Sequence, residues 1–89
     1  MFAAAYQPTD GMSFGHAIEM LKLGKKVARA GWNGKGMWLM LMAGGHSSLP
    51  DGSEFEALPF IVMKTADDKI VPWLASQTDV LANDWQIVY

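Results

Sequence analysis

The fold is decided by residues 26–42, KVARAGWNGKGMWLMLM. Lys26 to Arg29 is typical of a short strand, and three glycines follow within residues 31–36. Among them Asn33-Gly34 predicts a tight turn, because both residues tolerate positive φ. The continuous apolar run from Met37 to Met42 then predicts a strand that is covered on both faces. We therefore expect two strands joined by a glycine-rich turn.

The flanking sequence predicts two helices and three more strands. One helix is capped by Ser13 and ends at Gly24, since apolar residues recur between them at helical spacing. A short helix is expected from Ser76 to Ala82, with Ser76 or Thr78 as its N-cap. The remaining strands are predicted over 60–64, 69–73 and 85–89, the first two forming a hairpin. Residues 43–58 are rich in Gly, Ser, Pro and acids and predict a loop.

These elements predict a small α+β fold, an antiparallel sheet with one N-terminal helix and a short second helix. Residues 12–89 would form a single ligand-binding domain, preceded by a flexible segment over 1–11. A chain of 89 residues buries roughly 60–65 % of its unfolded surface, and it has no cysteine to reinforce a thin core. Four tryptophans and seven methionines suit a subunit interface, so we expect a homo-oligomer.

Charge is unevenly distributed along the chain. The formal net charge of −2 argues against a general DNA- or RNA-binding protein. Five of the seven basic residues nevertheless lie within 22–35, and seven of the nine acids lie from Asp51 onward. Two interpretations stay open, a solvated helix end with cations near the C-terminus or a positive patch for a small anion. No apolar run approaches the roughly 20 residues of a membrane span, so we expect no membrane contact. The absence of cysteine fits a reducing cytoplasm.

Groups suited to catalysis are scarce. The two histidines, His16 and His46, have no closely spaced Asp and Glu partners of the kind that hold a metal. His46 and Ser47 could serve as base and nucleophile, but no orienting third group or oxyanion hole accompanies them. We therefore expect a protein that is not an enzyme and that needs neither metal nor cofactor.

Two polar-aromatic clusters favour binding instead. The first surrounds the glycine turn, where an aromatic plane, cations and free backbone N–H groups come together; such groups stack on bases and hold phosphate oxygens. The second covers residues 72–79, where a helix beginning near Ser76 would present unpaired first-turn amides. Trp38 and Trp85 are interpreted as core residues because they lie on strands. The candidate ligand-binding residues are Arg29, Trp32, Asn33, Lys35, Trp73, Ser76, Gln77, Thr78 and Asp79.

Several stretches resemble a family of small phage and prophage proteins, the second Thoeris anti-defence (Tad) family. They are MSFG at 12–15, GKKVARAGWNGKGM at 24–37, IVMKTAD at 61–67, VPWLASQTD at 71–79 and LANDW at 81–85. The resemblance extends from Met12 to Tyr89. It implies a homotetramer that binds cyclic ADP-ribose isomers at subunit boundaries without cleaving them, and so withholds an immune signal from its effector. It also implies, for some members, a separate site for the cyclic dinucleotides of CBASS defence.

Residue roles follow from the resemblance together with side-chain chemistry. Trp32 or Trp73 would stack on the purine, and Arg29 and Lys35 would offset phosphate charge. Ribose hydroxyls or base edges would be bonded by Asn33, Ser76, Gln77, Thr78 and Asp79. Two alternatives stay open, a protein–protein interaction module that blocks a host protein directly and an enzyme that degrades the signal.

Overall fold

The computed structural model describes residues 11–32 and 36–89. Within these ranges the chain forms two helices and seven strands, in the order α1 (Phe14–Lys22), β1 (Lys26–Arg29), β2 (Trp38–Met42), β3 (Gly45–Ser48), β4 (Glu54–Ala57), β5 (Phe60–Lys64), β6 (Ile70–Pro72), α2 (Gln77–Leu81) and β7 (Trp85–Val88). The predicted small α+β fold is confirmed. The predicted flexible segment 1–11 lies outside the described residues except for Gly11.

Five strands form one antiparallel sheet in the order β6-β5-β2-β1-β7. The strands on either side of the glycine-rich turn are neighbours, with Val27 paired to Leu39. The C-terminal strand returns to the other side of β1, where Arg29 lies opposite Trp85. The sheet therefore brings Ala30 and Gly31, which follow β1, close to Asp84, which precedes β7.

One face of the sheet packs against α1, and we call it the helix face. Ser13 caps α1 by accepting a hydrogen bond from the His16 amide, and Gly24 follows the helix with a φ of 85°. Since side chains alternate along strands, Val27, Leu39 and Trp85 share this face and are fully buried there. They form one cluster with Met12, Ala17 and Leu21.

The other side of the sheet, the open face, is also largely apolar. Alternation places these residues on it: Lys26, Ala28, Trp38, Met40, Met42, Phe60, Val62, Lys64 and Ile70. In the described part of the chain neither helix lies on this face. Met42 and Phe60 are accordingly 45 % and 43 % exposed, whereas Leu39 on the helix face is fully buried. The expectation that β2 is covered on both faces is therefore correct for the helix face only. On the open face no described helix covers this strand.

The prediction of a loop over residues 43–58 is wrong. Strands β3 and β4 pair as a two-stranded antiparallel sheet, and we call residues 45–57 the arm. Its strand residues are exposed except Ala57, which is partly buried. Because no face of the arm is buried against the sheet, its sequence lacks the apolar alternation by which strands are recognised.

The arm is a continuation of the hairpin formed by β2 and β5. Met42 pairs with Phe60 and Gly45 pairs with Ala57, so two unpaired residues stand on each side between the two ladders and the register is unchanged. Pro59 lies in this interval and has no N–H to donate to a ladder. On the opposite strand, a Cβ added to Gly44 would collide with the carbonyl oxygen of Ala57. The junction thus depends on a residue without a side chain.

The junction can be tested with a matched pair of glycine substitutions. Gly44→Ala would push the two backbones apart, because the atom it meets is a carbonyl oxygen rather than a flexible side chain. Overpacking of this kind costs about 1–3 kcal/mol, so amide hydrogen exchange in β3 and β4 should accelerate by about fivefold or more. In Gly15→Ala the added Cβ lies 3.9 Å from its nearest neighbour, and exchange in the arm should not change. Unaltered exchange in Gly44→Ala would contradict this account of the junction.

Candidate functional site

Trp85 is the centre of an aromatic cluster on the helix face. The ring centroids of Phe14 and Trp32 lie 5.5 Å from that of Trp85, and the centroid of Trp73 lies at 6.1 Å. Trp32 and Trp73 both meet Trp85 edge to face. Trp85 is fully buried, as predicted, whereas Trp32 and Trp73 are half-buried. The two candidate stacking residues are therefore held by the core and keep part of their surface exposed.

Arg29 connects this cluster to two carboxylates from distant parts of the sequence. Its Nε donates to Asp84 Oδ1 and its Nη1 to Asp79 Oδ1, each over 2.9 Å. Asp84 Oδ2 also accepts a hydrogen bond of 2.9 Å from the Gly31 amide, at the start of the glycine-rich turn. These contacts connect β1, α2 and the start of β7, and we call Arg29, Asp79 and Asp84 the ion triad.

A capping box fixes the first turn of α2. The Ser76 hydroxyl accepts a hydrogen bond from the Asp79 amide, and Asp79 Oδ2 accepts one from the Ser76 amide. The Thr78 hydroxyl lies 2.8 Å from the Ser76 hydroxyl, and the Gln77 side chain is exposed. Of the two N-caps considered, Ser76 is the one observed. Asp79 thus accepts a hydrogen bond from the Ser76 amide with Oδ2 and one from Arg29 with Oδ1.

Trp85 and Trp32 hold α2 from the core side. The indole Nε1 of Trp85 donates to the Asp79 carbonyl over 3.0 Å, and Nε1 of Trp32 lies 3.5 Å from Asp79 Oδ1. Asp79 therefore receives contacts from both clusters that the sequence singled out. The structure brings Arg29, Trp32 and Asp79 into direct contact, with Trp73 attached through Trp85.

Both carboxyl groups of the ion triad have lowered pKa values. The hydrogen bond from Arg29 is the main cause at Asp84. At Asp79 burial alone would raise the pKa, but hydrogen bonds from Arg29 and Ser76 outweigh it and the net direction is downward. The pKa of Arg29 is raised in turn, chiefly by its hydrogen bonds to Asp84 and Asp79. All three groups are charged at neutral pH, so the triad carries one more negative than positive charge.

The remaining candidates have different surroundings. Asn33 and Lys35 lie outside the described residues. The ring nitrogens of His46 face the carboxylates of Glu54 and Glu56, at 2.7 and 3.3 Å, and the structure does not pair His46 with Ser47. Among the described residues, no three His, Asp or Glu side chains are arranged to hold a metal ion. None of the described helices is long and apolar enough to cross a membrane.

Asp84 is the site residue that the sequence reasoning missed. It lies 55 residues from Arg29, and nothing local in LANDW marks its carboxylate as a partner. The signal is topological, because pairing Arg29 with Trp85 places residue 84 beside the guanidinium. That pairing follows only once β7 is known to lie next to β1.

Chemically, this arrangement suits the binding of an aromatic, polyhydroxylated molecule. Two half-exposed indole rings offer surfaces on which a base can stack. The hydroxyls of Ser76 and Thr78 and the exposed Gln77 amide are groups that hydrogen-bond hydroxyls and base edges. Arg29 uses Nε and one terminal nitrogen for its aspartates, which leaves donors on Nη2 for an anionic oxygen. Its charge is offset within the triad, so its pull on a phosphate is weaker than that of an unpaired arginine.

The ion triad should stabilise the fold in a pH-dependent way. A carboxyl group whose pKa is lower in the folded chain stabilises it above the unfolded pKa, near 3.8, and loses that contribution as pH falls through the folded value. Asp84→Asn should therefore lower the free energy of unfolding at pH 7 by about 1–2 kcal/mol. Between pH 5 and pH 2 the variant should lose less stability than the parent. Urea unfolding at each pH measures both effects.

The matched control is Asp67→Asn, at an exposed turn remote from the triad. Its free energy of unfolding at pH 7 should stay within about 0.5 kcal/mol of the parent. Equal losses of unfolding free energy in the two variants would show that the ion pair between Arg29 and Asp84 does not stabilise the fold.

Comparison with known proteins gives a consistent assignment. Residues 12–88 match the model of the Tad2-like family, described as the Thoeris anti-defense 2-like domain. The chain is also 49 % identical over 84 residues to a Bacillus phage SP01 protein named Thoeris anti-defense 2, an alignment covering 86 % of this chain and 94 % of that protein. The matched range contains both helices, all seven strands and the whole ion triad. The chain belongs to the Tad2-like family.

Proposed function

We propose that this chain is a phage anti-defence protein that binds cyclic nucleotide immune signals and sequesters them without cleavage. Its ligands are the cyclic ADP-ribose isomers of Thoeris defence, with the cyclic dinucleotides of CBASS as a further class. The observation that carries the proposal is the 49 % identity to a phage protein named Thoeris anti-defense 2, over nearly the whole of both chains.

The local chemistry supports binding of such a ligand. A cyclic ADP-ribose isomer combines a purine, ribose hydroxyls and two phosphates. Trp32 or Trp73 stacks on the purine, since each ring is held at Trp85 with part of its surface exposed. Ser76, Gln77, Thr78 and Asp79 bond hydroxyls or base edges from the first turn of α2.

Binding of the two phosphates requires positive charge, and the described residues of the site supply little of it. Arg29 is shared with two aspartates, so it contributes hydrogen-bond donors more than net charge. Lys35 and Asn33, from the glycine-rich turn, complete the proposed set. In this assignment the ion triad mainly holds the Gly31 amide, at the residue where the glycine-rich segment begins.

Sequestration requires only tight binding and enough protein. Each occupied site removes one signal molecule, so inhibition is stoichiometric and depends on the number of sites in the cytoplasm of the infected host. The protein acts as a homo-oligomer, which we propose to be a tetramer with ligand at subunit boundaries. Exposed apolar side chains beside the site support a boundary there, since Leu74 and Leu81 are 92 % and 74 % exposed.

The same exposed leucines favour the second candidate, a module that binds a host protein directly. Large apolar side chains beside polar ones are typical of protein interaction surfaces. The two functions differ in what binds the site. A sponge binds the signal in the absence of any other protein, whereas the module does not.

Thermal unfolding with and without a cyclic ADP-ribose isomer separates these functions. At a concentration 100 times Kd, binding adds about 2.7 kcal/mol, which raises Tm by about 10 °C or more in a domain of this size. The ligand should return chemically unchanged when the complex is denatured and chromatographed. An unchanged Tm with every cyclic nucleotide would favour the interaction module, and a cleaved ligand would identify an enzyme.

Substitutions then test the stacking residues. Trp32→Leu or Trp73→Leu should weaken binding by about 1–3 kcal/mol, which is about 5- to 150-fold in Kd. Tyr89→Leu is the matched control, because this aromatic side chain is 91 % exposed and its Kd should not change. Calorimetric titration of variants whose near-UV spectra show an intact fold supplies the values. Undiminished affinity in both tryptophan variants would refute the stacking assignment.

A further inference from the structure

The open face has the composition of an interface rather than of a solvated surface. Its apolar residues are Ala28, Met40 and Val62 within the sheet, Met42 and Phe60 where β2 and β5 meet the arm, and Ile70 on the edge strand β6. Ile70 is 55 % exposed, and Met42 and Phe60 are nearly as exposed. Ala28 and Val62 are only 5 % exposed, so the apolar surface that water reaches is formed mainly by Met42, Phe60 and Ile70. Large apolar side chains exposed together on one face of a sheet are typical of an interaction surface.

Basic side chains occupy one end of this face. Lys26 Nζ lies 5.0 Å from the centre of the Trp38 ring, and Lys64 pairs directly with Trp38 across the β2–β5 ladder. Lys26 forms no ion pair with any described carboxylate. Lys64 contacts Asp68 at 2.6 Å, but its side chain is only 19 % exposed and lies against the apolar face.

Acidic side chains occupy the other end, on the arm. Glu54 and Glu56 flank His46, and both carboxylates are well exposed. The arm meets the open face around an open cavity of about 230 Å³. Met42 and Phe60 line it from the sheet, and His46 and Ser47 line it from the arm. The apolar face and the acidic arm therefore form one continuous surface.

The two ends are placed symmetrically about one residue pair. Trp38 and Lys64 lie four residues from the Met42–Phe60 pair in one direction, and His46 and Glu56 lie four residues from it in the other. At about 3.3 Å per residue each end is about 13 Å from that pair. A two-fold axis that crosses the strands at Met42 and Phe60 would bring Lys64 of one copy over Glu56 of the other.

We propose that the open face and the arm bind a second copy of this chain face to face. Met42 and Phe60 lie at the axis of the dimer. Each arm lies along the Trp38–Lys64 end of its partner, so the acidic and basic ends neutralise each other twice. A surface that is apolar at its centre, with opposite charges equally spaced from it, is self-complementary, which is what an isologous dimer requires. The proposal specifies the surface and the charge pairing for the self-association proposed above.

Charge reversal tests this pairing. Lys64→Glu and Glu56→Lys each place like charges at both 64–56 contacts of a homodimer. Each variant alone should associate at least about tenfold more weakly than the parent. In an equimolar mixture of the two variants both contacts join opposite charges again, and molar mass should return to the parental value. Sedimentation equilibrium from 1 to 100 μM measures all samples.

The matched control is Lys69→Glu. Lys69 pairs with Asp67 in the same turn, as Lys64 does with Asp68, but its side chain is 72 % exposed and lies off the open face. Its association should equal that of the parent.

Restored association in the mixture also excludes misfolding as the cause of the weak association, because an unfolded variant could not bind the other variant. A monomeric parent, single variants that associate normally, or a mixture as weak as its components would each overturn the proposal. The assay contains no nucleotide, so a failure here is distinct from a failure of ligand binding.

Discussion

The ion pairs of Arg29 with Asp79 and Asp84 hold together the part of the molecule on which the proposed function depends. They join strand β1, the first turn of α2 and the residue before β7, three segments that are far apart in sequence. The same carboxylates fix the Gly31 amide and the N-cap of α2. An arginine shared by two aspartates organises the surrounding backbone, and this limits the charge that it can offer a ligand.

Much of the fold could be predicted because its signals are local. The Ser13 cap, the Gly24 stop and the apolar strand β2 each produce a pattern within a few residues, and each is found in the structure. Trp85 was placed in the core because it lies on an alternating strand, and it is fully buried. Where side-chain periodicity and backbone propensity agree, the sequence is a sufficient guide.

The features that could not be predicted depend on pairing between distant segments. The arm has the sequence of a loop because its strands bury no face, and pairing alone stabilises them as an extension of β2 and β5. Asp84 was missed because strand order, rather than any motif, places it beside Arg29. Trp32 and Trp73 belong to two clusters that are separate in the sequence, and their meeting at Trp85 depends on the packed core.

The unbroken register across the arm junction restricts how relatives of this protein can change in length. A single residue inserted into one strand of the arm would turn every later side chain on that strand to the opposite side. Length changes are therefore tolerated as matched insertions, one on each strand, or at the tip between Ser48 and Glu54. The arm can lengthen or shorten in this way without altering the order of strands in the five-stranded sheet. The length of the arm can therefore change while the ion triad and the aromatic cluster around Trp85 keep their places.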